Sequence, residues 1–92
     1  MKVTVAEAYA LPDGQHIELN LPQGGWAHSL GIIALCHGDE GIVVGRCKVP
    51  YARKGQQQII DKIIVQFPVM GGLRLIFSAE EISQCFKTIT VN

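Results

Sequence analysis

Turn-forming residues interrupt this chain at short intervals, and that spacing limits what it can build. Pro12-Asp13-Gly14, Pro22-Gln23-Gly24-Gly25, His37-Gly38-Asp39-Glu40-Gly41 and the stretch from Pro68 to Gly72 cut it into short segments. Proline presets φ for a turn, Asp bonds the local backbone, and Gly accepts positive φ. Segments of this length suit strands better than long helices. With 92 residues, the expectation is a single α+β domain over 1–92. It should be mainly an antiparallel sheet of four to six strands with a short C-terminal helix.

The segments differ in how clearly they declare themselves. Lys2–Leu11 carries Val3, Val5 and Tyr9 and reads as a strand. Gln15–Leu21 alternates, with Ile17, Leu19 and Leu21 on one face and His16, Glu18 and Asn20 on the other. Together they predict a first hairpin. Leu30–Cys36 and Ile42–Lys48 flank residues 37–41 and predict a second. Its rival is a helix over Trp26–Leu35, which Gly31 disfavours. Trp26 reads as a core anchor. Pro50–Gln58 is polar and basic and reads as a loop. Ile59–Phe67 reads as a strand because isoleucine has a stiff χ1, with a second helix over 56–67 as the alternative. Pro68 to Gly72 then turns the chain into Leu73–Phe77. Ser78-Ala79-Glu80-Glu81 is a capping box that starts a helix. Ile82, Cys85 and Phe86 form its apolar stripe and Lys87 lies in its last turn. Thr88–Val91 runs extended.

Eight Lys+Arg balance eight Asp+Glu, and charged residues make up only 17%. Hydrophobic residues reach 48%, which excludes a disordered tail. Neutrality excludes a globally basic, histone-like protein. A neutral chain with few charges is poorly protected against association, so a partner is expected. The longest mid-chain apolar run, Leu30–Cys36, is too short to cross a membrane, and Met1–Glu7 lacks the apolar core of a secretory leader. Cys36, Cys47 and Cys85 are odd in number and unpaired in spacing. A reducing, cytoplasmic setting is expected, the host cytoplasm if the protein is phage- or plasmid-encoded.

Catalytic and metal chemistry find little footing. Cys36-His37-Gly38-Asp39 has the residue types of a nucleophile with its base, but neighbours at a strand end point to opposite faces. The predicted second hairpin opposes Cys36 to Ile42 and Gly31 to Cys47. Cys36 and Cys47 then lie about 17 Å apart along the ladder, too far for a disulfide or a shared metal. His16, His28 and His37 do not form tight ligand pairs with the cysteines. Gly24-Gly25 and Gly71-Gly72 lack the context of a phosphate loop. No enzyme activity, cofactor or metal is expected.

One cluster stands out. Arg46, Lys48, Arg53 and Lys54 are half the basic residues of the chain, and no Asp or Glu occurs from Gly41 through Ile60. Tyr51 sits among them, and Gln56, Gln57 and Gln58 follow. Arg offers a bidentate fork to phosphate and Lys a point charge. Tyr51 could stack on a base, and the glutamines could bond base edges. The expectation is a small binding protein that contacts nucleic acid or a nucleoprotein complex through Arg46, Lys48, Tyr51, Arg53, Lys54, Gln56 and Gln57. An inhibitor, such as a phage anti-defence protein, belongs to this class. An acidic protein surface would suit the same residues. The competing expectation is a protein–protein adaptor or homo-oligomer joined through apolar strand edges or Ile59–Phe67.

Tyr9-Ala10-Leu11-Pro12-Asp13-Gly14-Gln15, continuing to Leu21-Pro22-Gln23-Gly24, resembles the opening hairpin of the RnfH family of ubiquitin-like proteins. Gly41–Arg46 is loosely similar to a later strand of that family. The resemblance spans about a quarter of the chain and implies a β-grasp fold, with the adaptor role that goes with it. The C-terminal half does not share the pattern, and Ser78–Lys87 adds a helix.

Overall fold

The computed structural model describes residues 2–21, 25 and 35–90. Along them run α1 (Val5–Tyr9), β1 (His16–Leu19), β2 (Glu40–Arg53), β3 (Gln56–Phe67), β4 (Leu73–Phe77), α2 (Ala79–Cys85) and β5 (Phe86–Thr88). The strands form one antiparallel sheet in the order β4-β3-β2-β1-β5. After β4, α2 carries the chain back so that β5 lies beside β1, in the manner of a Greek key. This is the expected small α+β architecture. Among the described residues no helix is long and apolar enough to cross a membrane.

The N-terminal segment corrects the first expectation. Residues 5–9 are helical, so Lys2–Leu11 makes no hairpin with Gln15–Leu21. Thr4 explains it. Its Oγ1 accepts from the Glu7 N–H at 3.2 Å, while its own N–H donates to Glu7 Oε1 at 3.0 Å. That is the capping box found again at Ser78, whose Oγ accepts from Glu81 N at 3.1 Å and whose N–H donates to Glu81 Oε1 at 2.8 Å. The bonds from Thr4 hold the Glu7 carboxyl below its usual range. The β-grasp expectation rested on the first hairpin and loses its support with it.

Alternation on β1 is as expected. Ile17 and Leu19 are fully buried, and His16 and Glu18 are half-buried. The buried face of the sheet, with Val43, Ile63, Val65, Phe67 and Phe77, packs against Ala8 of α1 and Ala79 and Ile82 of α2. Phe67, Phe77 and Phe86 meet at its centre. The Phe77 ring lies 6.0 Å from Phe67 and 5.2 Å from Phe86, both edge to face, which aromatic quadrupoles favour. Ser83 Oγ donates to the Val3 carbonyl at 2.8 Å and ties α2 to the N-terminal segment.

Three further expectations change. β2 begins at Glu40 and pairs with β1 and β3, so the ladder that opposed Cys36 to Ile42 does not form. Leu35 is buried. The rest of the predicted strand Leu30–Cys36, the rival helix from Trp26, the Trp26 anchor, His28 and Gly31 lie outside the described residues, except that Cys36 begins a turn closed by Asp39 N donating to Cys36 O at 3.1 Å. Residues 56–67 are strand throughout, which removes the helical alternative. Finally, α2 stops at Cys85. Phe86 is extended (φ −130°, ψ 157°) and buried, and Lys87 sits in β5 across from Glu18.

Candidate functional site

β2 and β3 are much longer than their neighbours. β1 pairs with β2 only over Glu40–Ile42, and β4 pairs with β3 only over Ile63–Phe67. Beyond those points the two long strands pair with each other alone, from Cys47↔Lys62 to Arg53↔Gln56. A two-stranded ribbon therefore projects from the body, on the order of 20 Å long at ordinary strand rise. The molecule accordingly measures 44 Å along its long axis against 26 and 25 Å across. Residues 50–59 are all exposed. The predicted loop over Pro50–Gln58 is thus the outer half of this ribbon, and its turn is only Lys54-Gly55. Both have positive φ, 53° and 78°, the signature of a type I′ hairpin turn whose twist matches the strands.

A β-bulge marks the base. The register shifts between Val43 and Gly45, which leaves Val44 without an opposite residue. A bulge bends its strand and sharpens the twist. It also moves Arg46, which opposes the buried Ile63, onto the core side of the sheet.

The register sorts the predicted site residues. Tyr51 opposes Gln58 and Arg53 opposes Gln56, so those four share one face of the ribbon. Lys48 opposes Asp61, Pro50 opposes Ile59, and Ala52 opposes Gln57 on the other face. The expected single stripe is divided between two faces, and Gln57 lies apart from Gln56 and Gln58.

The cations differ in what they are free to do. Arg46 is turned back to the body. Its guanidinium donates to the Tyr9 carbonyl at 3.1 Å and to the Leu11 carbonyl, and lies 4.0 Å from Asp13. It anchors the end of α1 and the following loop to the ribbon base. Lys48 Nζ is 2.9 Å from Asp61 Oδ1, and hydrogen bonding to that carboxylate raises the Lys48 pKa. Lys62 Nζ is 3.9 Å from Glu81. Arg53 and Lys54, at the tip, have no hydrogen bond or ion pair among the described residues. Of the five cations on β2, β3 and their turn, the two without a partner among the described residues are therefore at the tip. A cleft of about 380 Å³ at the base is lined by Tyr9, Arg46, Cys47, Lys48 and Asp61. Its charged groups already have partners.

The Cys36–Asp39 segment is a turn whose groups are engaged locally. Asp39 Oδ2 accepts from Cys36 N at 2.9 Å, and His37 Nδ1 accepts from Leu21 N at 3.1 Å. Partial burial, then the Asp39 carboxylate, push the Cys36 thiol up. All three cysteines are free thiols. Because the thiolate is the reactive form, Cys36 should alkylate with iodoacetamide more slowly at pH 7.5 in the folded protein than in urea. Mass-resolved labelling checks this, and faster labelling in the folded state would refute it. Among the described residues no group of three His, Cys, Asp or Glu side chains could hold a metal ion.

In the sequence Ile59 is marked only as the first residue of the apolar run Ile59–Phe67. It is 73% exposed on the ribbon beside Pro50. The signal was available only through strand register, because the same isoleucine run supplies the buried Ile63. No protein-family model matches the chain, and no curated protein or solved structure matches it.

Proposed function

We propose that this is a binding protein without catalytic chemistry, whose β2–β3 ribbon enters a groove of duplex nucleic acid. The observation that carries the reading is a projecting two-stranded ribbon whose tip cations, Arg53 and Lys54, have no partner within the described residues. The major groove of B-form DNA is about 12 Å wide and admits such a ribbon. Phosphate would meet Arg53 and Lys54, which positions the ribbon. Tyr51, Gln56 and Gln58 share the Arg53 face and supply the hydroxyl and amide groups that would read base edges. Charge placement supports the same orientation. Residues 46–62 hold five cations and one carboxylate, and the rest of the chain holds three cations and seven carboxylates. A polyanion approaching this molecule is drawn to the ribbon and repelled by the body.

The test is fluorescence anisotropy with labelled duplex DNA across a salt series. Arg53→Glu with Lys54→Glu should weaken binding by about tenfold or more and flatten the salt slope by roughly two. Arg46→Ala should leave the slope near that of the native chain, because Arg46 faces the body. Native affinity retained by the double variant would remove the ribbon from the account.

A further inference from the structure

The ribbon has two edges, and they are not equivalent. Pro50 has no N–H and still pairs with Ile59. It can do so only as a non-hydrogen-bonded pair, in which both residues turn their main-chain groups outward. On β2 the outward position is therefore proline, which blunts that edge. On β3 the outward-facing residues alternate from Ile59 and are Gln57, Ile59 and Asp61. They carry unblocked N–H and C=O groups, and β4 reaches only as far as Ile63. The β3 edge over 56–62 is thus an open template among the described residues, with the 73%-exposed Ile59 at its middle.

We infer that this edge pairs with the same edge of a second copy, antiparallel, with the twofold axis at Ile59. The register follows from the outward groups. Ile59 meets its symmetry mate, and Gln57 meets Asp61 in both directions, so every outward N–H finds a carbonyl. In that register Gln56 faces Lys62 of the other copy. The tip beyond it then arrives where β4 ends and the chain passes through Ser78 into Glu80 and Glu81. Charge complementarity favours a second copy as the occupant. The tip brings Lys54, and the base offers Glu80, which is exposed and unpaired among the described residues. The two Ile59 side chains, each beside its Pro50, cover one another on one face. Arg53, Tyr51 and Gln58 remain on the opposite face, so pairing brings two sets of these residues to one surface and leaves Arg53 as its phosphate contact.

Sedimentation equilibrium of the full chain tests the pairing. The native protein should give twice the 10.0 kDa chain mass. Ile59→Lys should give the single-chain mass, because it places like charges across the axis. Ile59→Pro should do the same by removing the central outward N–H at a position where β2 already tolerates proline. Circular dichroism checks that both variants keep the sheet. Lys54→Glu and Glu80→Lys should each weaken the dimer by about threefold to tenfold, and the double swap should restore it. The double swap should not restore DNA binding, so the two readings fail separately. A native chain at 10.0 kDa at its highest soluble concentration would overturn the inference. So would a doubled mass in both Ile59 variants, and failure of the swap to restore the dimer would overturn the register.

Discussion

Phe67→Ala is expected to remove about 3–5 kcal/mol of stability. Phe67 is fully buried at the end of β3, with the Phe77 ring 6.0 Å and the Phe86 ring 6.3 Å away. Those rings come from three different strands, so the cavity would open where the sheet, α2 and the returning β5 converge. A domain of this size has roughly 5–14 kcal/mol in total, so the loss is a large share of it. Urea denaturation at 25 °C should show a lower midpoint with an unchanged slope. A loss below about 1 kcal/mol would mean that the three rings do not form the centre of the core.

The second large effect concerns a missing side chain. Gly41→Ala should destabilise by about 1–3 kcal/mol, although alanine is ordinarily the better residue in a strand by roughly 0.5–1 kcal/mol. Gly41 has no positive φ, so its backbone does not require glycine. Space does. A Cβ there would lie 2.5 Å from Val65 Cγ1 and 2.9 Å from Phe67 Cε1, against about 3.5–4.0 Å for an ordinary carbon contact. Val65 is β-branched and buried, so it cannot swing aside. Pairing Gly41→Ala with Val65→Ala should recover part of the loss, and a double-mutant cycle measures that coupling. Strict additivity of the two substitutions would show that the contact is not the cause.

Much of the body was legible in the chain, and the reasons are local. Ile17 and Leu19 alternate with polar neighbours and sit where alternation puts them. Ser78 and Glu81 form a capping box and start α2. The same signal stood at Thr4 and Glu7, but Val3, Val5 and Tyr9 gave a competing period of two, and only a five-residue helix was at stake. The ribbon was hidden for two physical reasons. Pro50 argues against a strand unless its missing N–H faces an open edge. Lys54-Gly55 is an unusual I′ turn, because lysine seldom takes positive φ where Asn or Asp would. The basic residues were found by composition alone. Which of them are free was not legible, since the partners of Arg46 are carbonyls at positions 9 and 11, and that contact is a property of the fold.

The bulge at Val44 also acts as a pivot. Past the nearby β4 pair at Ile63, the Arg46 contacts and the Lys62–Glu81 ion pair, the ribbon is held only by its own cross-strand bonds, and two-stranded ribbons are only marginally stable alone. A lever on the order of 20 Å turns a bend of roughly 15° at its base into a tip displacement of about 5 Å, close to one strand spacing. Small changes in twist at one unpaired residue are thereby converted into large changes in where Arg53 and Lys54 can reach. Anything that clasps the tip must in turn stiffen the hinge, so the bulge ties capture range to rigidity on contact.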